Sequence, residues 1–314
     1  MFSFILTRLL SSIVVLFGVS SLVFFLIHII PGDPVEVMLG ESAQLADKEA
    51  LRVYLGLNEP IHTQWLKYIN GVIHLDLGTS IHYHRSISEI IIERLPATIK
   101  LTVWALLVAI LIAFPLGILA AVNKDTMVDR GAMFVSLLGV SIPNFVMGPL
   151  LIMLFAVNLP WFPVSGSEST FSIVLPALTL GTALAAILSR MIRASLLEVI
   201  GEDYIRTAKA KGLTPFNVII QHAIPNALLP VITLLGLQLG ALLAGAVITE
   251  MIFSWPGIGQ LTIESIQRRD YPLVQACVLL ISVTYVGVNT LTDIIYAFID
   301  PRIRLSENVK VISE

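Results

Sequence analysis

The chain has 314 residues, of which 56% are hydrophobic and 13% charged, with a formal net charge of −3. Soluble globular domains carry about 25% charged residues, so a water-soluble fold is excluded and the apolar excess must be buried in lipid. The small negative charge excludes a nucleic-acid surface built on net positive charge, and the single cysteine, Cys277, excludes a disulfide framework or thiol metal site.

A membrane-spanning helix needs roughly 20 apolar residues, and six stretches reach or approach that length. The first, residues 9–30, follows Arg8. It outruns the roughly 7–15 residues of a signal-peptide core and no small-x-small cleavage site follows, so it reads as a retained helix. His28 closes it, an ordinary place for an amphipathic ring.

Residues 31–96 form a polar cap. Pro31-Gly32-Asp33-Pro34 is a turn. Helical periodicity runs over 46–57 through Ala50, Val53, Tyr54 and Leu57, then over 60–73 with Trp65, Tyr68 and Ile69 on one face. Leu75-Asp76-Leu77-Gly78-Thr79-Ser80 is a turn, and an amphipathic helix over 86–95 is expected to stop at Pro96. A cap of this size is too small to be stable without the membrane helices beneath it. Its histidines, His62, His74, His82 and His84, lack the i, i+4 spacing of a helical metal site, and surface histidines are the simpler reading. No metal site is expected.

The second run is 101–122. The third, 132–159, contains Pro143 and Pro149 and is expected as one tilted, kinked helix. The alternative, two half-spans, would reverse the sidedness of everything downstream. The fourth run is 171–189.

From Arg190 to Gln221 no apolar run is long enough to span. Leu197, Ile200, Tyr204, Ile205 and Ala208 recur at three- or four-residue spacing, which predicts one amphipathic helix. Gly212 ends or bends it, Thr214-Pro215 starts the next, and Pro225 marks re-entry into the membrane. Arg206, Lys209 and Lys211 project from this segment. Residue chemistry alone fits equally a basic helix lying on anionic lipid and a loop gripped by a protein partner.

The fifth run, 227–249, carries Gly236, Gly240, Ala244 and Gly245, a small-residue stripe that permits close helix packing. Glu250 follows at its outer end. Trp255-Pro256-Gly257-Ile258-Gly259 is a rigid aromatic turn, suited to lining an external mouth or to anchoring at the interface. The sixth run, 273–299, holds Asp293 with Asn289 one turn before it. Ionisable groups at membrane depth are functional suspects. The plainer readings are a headgroup contact for Glu250 and an interhelical hydrogen bond for Asp293.

Basic residues in short loops set orientation. One set of loops holds Arg8, Lys124, Arg130, Arg190, Arg193, Arg206, Lys209, Lys211, Arg302, Arg304 and Lys310; the other holds only Arg268 and Arg269. Both termini and the 203–230 segment are therefore expected on the cytoplasmic side, with 31–96 outside.

The 203–230 segment resembles the EAA loop of bacterial ABC importer permeases. That pattern is Glu-Ala-Ala, three residues, Gly, nine residues, then Ile-x-Leu-Pro. Aligned on Gly212, its first positions are Arg206, Thr207 and Ala208, and its later ones His222, Ile224 and Pro225. The Glu is absent, as in the peptide branch of the family, where Tyr-Ile-Arg-Thr-Ala-(Arg/Lys)-Ala-Lys-Gly-Leu is usual. Asp203 and Glu202 are the remaining acidic candidates. Other motifs fit in order: Leu55-Gly56-Leu57 with Pro60 and Trp65, Asp76-Leu77-Gly78-Thr79-Ser80, Arg94-Leu95-Pro96-Ala97-Thr98, Phe253-Ser254-Trp255-Pro256-Gly257-Ile258-Gly259, Arg268-Arg269-Asp270-Tyr271-Pro272 and Asp300-Pro301-Arg302-Ile303-Arg304. Together they are similar to the dipeptide/oligopeptide/nickel permeases, first (B-type) subunit.

The resemblance implies an all-α integral membrane protein with six spans, like type I ABC importer permeases, in the bacterial inner membrane. Residues 1–96 would be an N-terminal helix plus cap, 97–305 a permease core with its coupling loop at 190–226, and 306–314 a cytoplasmic tail. It implies a second homologous permease, two ABC ATPase subunits and an external substrate-binding protein, with ATP and Mg used by the ATPases and no cofactor bound here. Coupling would fall to Asp203, Tyr204, Arg206, Thr207, Ala208, Lys209, Ala210, Lys211, Gly212 and Leu213, and the external mouth to Trp255, Pro256, Gly257 and Gly259. Cargo would be dipeptides or oligopeptides; nickel or a glutathione-like peptide is the alternative.

No phosphate-binding Gly-x-x-x-x-Gly-Lys-Ser/Thr loop and no His-Glu-x-x-His motif occurs, so catalysis by this chain is not expected. An ion-coupled transporter would favour inverted repeats with midplane charges, and no repeat relates the halves. An intramembrane enzyme would need paired carboxylates or histidines at depth. Topology is directly testable: reporters fused after Arg304 and within 43–70 should report opposite sides of the membrane, and an external C-terminus would overturn the six-span reading.

Overall fold

In lipid every backbone N–H and C=O must be bonded within the chain, which leaves helices as the form for single spans. A computed structural model of the chain describes residues 2–29, 34–39, 44–54 and 56–299. The Pro31-Gly32-Asp33 turn, Leu55, the Asp300–Arg304 motif and the 306–314 tail lie outside the described residues.

The helices are α1 (Phe2–Ile29), α2 (Pro34–Leu39), α3 (Leu45–Tyr54), α4 (Ile61–Ile73), α5 (Ile87–Val122), α6 (Met127–Ser141), α7 (Asn144–Leu151), α8 (Val174–Ile200), α9 (Asp203–Ala210), α10 (Pro215–Asn217), α11 (Ile224–Ile252), α12 (Ile258–Gln267) and α13 (Tyr271–Ile299). A π-helical turn, Ile152–Asn158, extends α7, and another, Val218–Ala223, joins α10 to α11; a 3-10 turn, Thr170–Ile173, leads into α8. Among the described residues the only β pairing is an isolated bridge, Thr79 to Ser86.

Among the described residues five stretches are long and apolar enough to cross a membrane: Ile5–Ile29, Ile87–Val122, Thr170–Ile200, Pro215–Gly240 and Tyr271–Ile294. The sixth is a broken pair, Met127–Ser141 with Asn144–Asn158, whose arms meet at 104°. The kink expected in this run is a sharp break between two helices rather than a bend within one. Pro143 lacks an N–H and forces the residue before it out of the helical region; Ile142 accordingly sits at φ −94°, ψ 111°. Pro149 lies inside α7.

Three further expectations are corrected. Pro96 does not end a helix: α5 runs through it, and through Pro115, because apolar membrane-length sequence on its far side sustains the helix. The amphipathic helix expected across 197–208 is two helices, since α8 carries the fourth span on to Ile200 and a turn at Gly201-Glu202 separates it from α9. The short connection expected between the fifth and sixth runs contains α12, whose first N–H, at Ile258, donates to Thr98 Oγ1 at 2.8 Å.

Packing divides the chain into two units. The first takes its described residues from Met1–Thr98 and Pro256–Glu314, the second is Ile99–Trp255. This differs from the sequence division at residue 96, which left the last helix with the core.

In the first unit α1 lies antiparallel to α13. Ser12 and Thr290 hydroxyls are 2.8 Å apart and Arg8 pairs with Asp293 at 3.4 Å. The helix α4 packs on α1, with Trp65 Nε1 donating to Ser21 Oγ at 3.2 Å and the Phe24 and Tyr68 rings stacked at 5.5 Å. The buried Asp270 carboxylate accepts from Ser80 Oγ, from the His82 amide at 3.0 Å and from the Leu273 amide at 3.3 Å. Beside it Ile87, Ile90, Ile91, Ile258, Leu261, Leu273 and Cys277 form a core.

In the second unit α8 packs against α6, α7 and α11. Arg193 grips the buried Asp129 carboxylate with Nε at 2.6 Å and Nη2 at 2.7 Å, and the Ser136 and Ser189 hydroxyls meet at 2.7 Å. At Gly181 the backbones of α5 and α8 come so close that a Cβ would stand 2.7 Å from the Ala105 carbonyl oxygen and 2.7 Å from Val108 Cγ1. Gly181→Val should therefore destabilise the protein by about 1–3 kcal/mol through overpacking, read as a lower Tm of the purified complex.

Candidate functional site

The segment singled out by sequence is built around two buried side chains. After α8 the chain turns, with the Gly201 amide bonded to the Glu198 carbonyl at 3.1 Å and Glu202 extended. The helix α9 then starts with Asp203 in its first turn and carries Lys209 in its last, both favourable to the helix dipole. Ile205 and Ala208, three residues apart, fall on one face. They are buried in a cluster with Ala121, Leu196, Val218, Ala223 and Ala227, with Leu213 packed at its edge.

The opposite face is open. Asp203, Tyr204, Arg206, Thr207, Lys209, Ala210 and Lys211 are exposed. Arg206 pairs with Asp203 at 3.2 Å, and Thr207 Oγ1 donates to the Asp203 carbonyl at 3.0 Å. Gly212 closes the helix at φ +83°, a left-handed conformation that favours glycine. Its amide bonds to the Lys209 carbonyl at 3.0 Å, and the Leu213 amide to that of Ala208 at 3.4 Å. Thr214 then caps α10, accepting from the Asn217 amide at 3.4 Å, and the π turn carries the chain into α11. Pro225 is taken up in the first turn of α11. It marks no break, and the return toward the membrane begins at Pro215 instead.

The geometry therefore presents a short, rigidly seated, polar and mainly basic helix, joined to two membrane-length helices through a common apolar anchor. It is suited to docking rather than chemistry. Sequence reasoning passed over Phe216, whose side chain is 71% exposed beside this face. The signal available was an aromatic residue directly after a Thr-Pro helix start.

The other nominated residues do not join this site. Trp255 is buried, with its amide on the Glu250 carbonyl at 2.8 Å and Lys100 Nζ 6.0 Å from its ring centroid. Burial rules out an exposed interfacial anchor. Pro256 precedes α12, Gly257 is its extended N-cap and Gly259 lies buried in its first turn. Glu250 is completely buried within α11, which corrects the expected headgroup contact. Asn289 and Asp293 share a cleft of about 180 Å³ with Arg8, Ser11, Ser12 and Thr290, and Asp293 makes an ion pair there. Of the small-residue stripe, Gly236 and Gly240 are buried. His62, His74, His82 and His84 are exposed.

An all-helical chain with five spans and a sixth broken pair, holding a short docking helix between two of them, has the build of a type I ABC importer permease. Residues 113–305 match the family of binding-protein-dependent transport system inner membrane components, and residues 1–102 match the N-terminal membrane component of the same systems. The chain belongs to this family and is a multi-pass inner membrane permease of a binding-protein-dependent ABC importer.

Among curated relatives, the glutathione transport system permease protein GsiC of Escherichia coli O6:H1 is 41% identical over 304 residues, covering 97% of this chain and 99% of the relative. GsiC of Salmonella paratyphi A is equally similar, with the same coverage. Among solved structures, an inward-facing MetNI methionine ABC transporter superposes with a TM-score of 0.58 at 17% identity, over 67% of this chain and 96% of that one. An amino acid ABC transporter solved with histidines gives 0.53 at 17% identity, over 67% and 94%. These structures share the fold.

A β-branched residue at φ +83° is strained by about 1–3 kcal/mol. Gly212→Val should therefore speed amide exchange across 203–213 in the assembled complex, whereas exposed Thr207→Ala should leave the anchor's exchange unchanged.

Proposed function

We propose that this chain is one half of a heterodimeric permease that imports short peptides, with both termini cytoplasmic and α9 as its contact to an ABC ATPase subunit. The observation that carries the reading is the seating of α9. Its buried Ile205 and Ala208 join it to α8 and α11, while its exposed face, including Tyr204, Arg206, Lys209 and Lys211, is free for a partner. A helix held in this way transmits a displacement to two spans as a body. The basic residues at this end support its cytoplasmic placement by the positive-inside rule.

The ATPase pair would use ATP and Mg, and this subunit would bind neither and catalyse nothing. A second homologous permease supplies the other wall of the pathway, an external binding protein delivers cargo, and membrane lipid surrounds the helices. The relatives named as glutathione permeases, at 41% identity over 97% of the chain, favour a peptide of glutathione size and polarity over nickel. Each unpaired polar group of a peptide costs roughly 2–7 kcal/mol in an apolar medium. A water-filled passage between two permeases avoids that cost without a tight site, and affinity then resides in the binding protein.

Reconstituted with all partners in liposomes, the complex should take up labelled glutathione only with ATP. Uptake should fall to background when the binding protein is omitted or an ATPase-inactive subunit is used. Uptake driven by an ion gradient alone would overturn the reading, and ATP-driven uptake of nickel but of no peptide would overturn the cargo. Arg206→Glu with Lys209→Glu should lower uptake by tenfold or more while the permease pair stays assembled; unchanged uptake would remove α9 from the coupling contact.

A further inference from the structure

Close to the α9 anchor, α6 and α8 are joined by charge. Arg193 of α8 holds the buried Asp129 carboxylate through Nε at 2.6 Å and Nη2 at 2.7 Å. The same carboxylate accepts from the Asp125 amide at 3.0 Å, which folds the α5–α6 turn onto it. Asp125 stands at φ +64°, a left-handed conformation uncommon outside glycine. One side chain thus binds three elements: the turn, α6 and α8. Arg193 lies three residues before Leu196, about 4.5 Å along the helix. Leu196, and Ala121 at the end of α5, both belong to the cluster that seats Ile205 and Ala208. The junction therefore adjoins the base of α9 through α5 and α8 alike.

Farther along, α6 and α8 run antiparallel and close. The Ser136 and Ser189 hydroxyls meet at 2.7 Å. A Cβ on Gly139 would stand 3.1 Å from the Thr182 carbonyl oxygen and 3.1 Å from Ala186 Cβ. Small side chains let helices approach but set little register of their own, whereas buried polar pairs do set it. A buried ion pair is also a poor source of stability, since an apolar pair of similar volume is often neutral or stabilising in its place. Register is what the pair supplies. Beyond α6 lies the 104° break, followed by α7, which packs on α8 and α11. Slippage at the base of α6 would absorb a displacement before it reached that break.

We propose that Asp129 and Arg193 are a positioning pair for energy coupling. They lock α6 to α8 beside the anchor, so that a displacement of α9 reaches the broken span α6–α7. This rests on the reading of α9 as the ATPase contact. Neither residue touches cargo or nucleotide; each acts through the register of the helix that carries it.

The test uses the complete transporter in liposomes with its binding protein and labelled glutathione. Asp129→Leu with Arg193→Met removes both charges and keeps an apolar filling. This double variant should hold Tm within about 4 °C of the parent, continue to hydrolyse ATP, and raise the ATP consumed per glutathione imported about tenfold. Nitroxide labels on Val135→Cys and Arg190→Cys, at exposed positions of α6 and α8, should give a narrow distance distribution in the parent and a broad one in the double variant. Arg193→Lys keeps the charge but loses the two-pronged grip. It should raise the ratio about threefold, and it decides the matter if the double variant does not assemble. An unchanged ratio, with or without a fall in Tm, would overturn the coupling role, and an unchanged distance distribution would overturn the register. Failure of α9 as the ATPase contact shows separately, as unchanged uptake by Arg206→Glu with Lys209→Glu, because the label distances are read without nucleotide.

Discussion

A backbone amide in hydrocarbon has no water to bond, and the whole architecture follows from that constraint. It explains why described residues form helices almost throughout. It also explains why prolines act so differently along one chain. At Pro96 and Pro115 the helix continues, because helix on both sides is the only alternative to unsatisfied polar groups. At Pro143 the residue before the ring has left the helix, and the chain bends by 104°.

The second organising element is the anchor beneath α9. A helix of eight residues is too short to be stable by itself. Ile205 and Ala208 place it in the same cluster as Leu196 of α8 and Ala227 of α11, so its order is borrowed from two long helices. The same seating leaves nearly all of its polar side chains outward. Stability and availability are thus divided between opposite faces of one short helix, and Gly212 allows the chain to leave it without disturbing either.

Much of this was legible in the residues. Apolar run length located the spans, the spacing of Ile205 and Ala208 gave the buried face of α9, and Gly212 gave its end. What escaped depended on context that periodicity does not carry. The break at Gly201 was hidden because Leu197, Ile200 and Tyr204 keep helical spacing across it. The helix α12 was hidden because the side chain that accepts its first amide, Thr98, lies far away in sequence. Trp255 read as an interfacial or mouth residue because an aromatic turn beside a span looks the same whether its ring faces lipid or is buried. The packing of α4 on α1 could not be read at all, since only the contacts of Trp65 and Tyr68 with α1 reveal it.

The pairing of α1 with α13 bears on how the protein is made. Ser12 and Thr290, in contact through their hydroxyls, are separated by 278 residues. Ribosomes add about 5–20 residues per second, so the first helix enters the bilayer on the order of tens of seconds before its neighbour exists. During that interval Arg8 has no Asp293 beside it, and Ser80 and His82 have no Asp270 to hold them. The early portion of the chain must therefore wait in the membrane with lipid or an insertion factor standing in for its last helix. Closure of the first unit waits for α13, and any interruption before that helix is made leaves the unit without the partner that completes it.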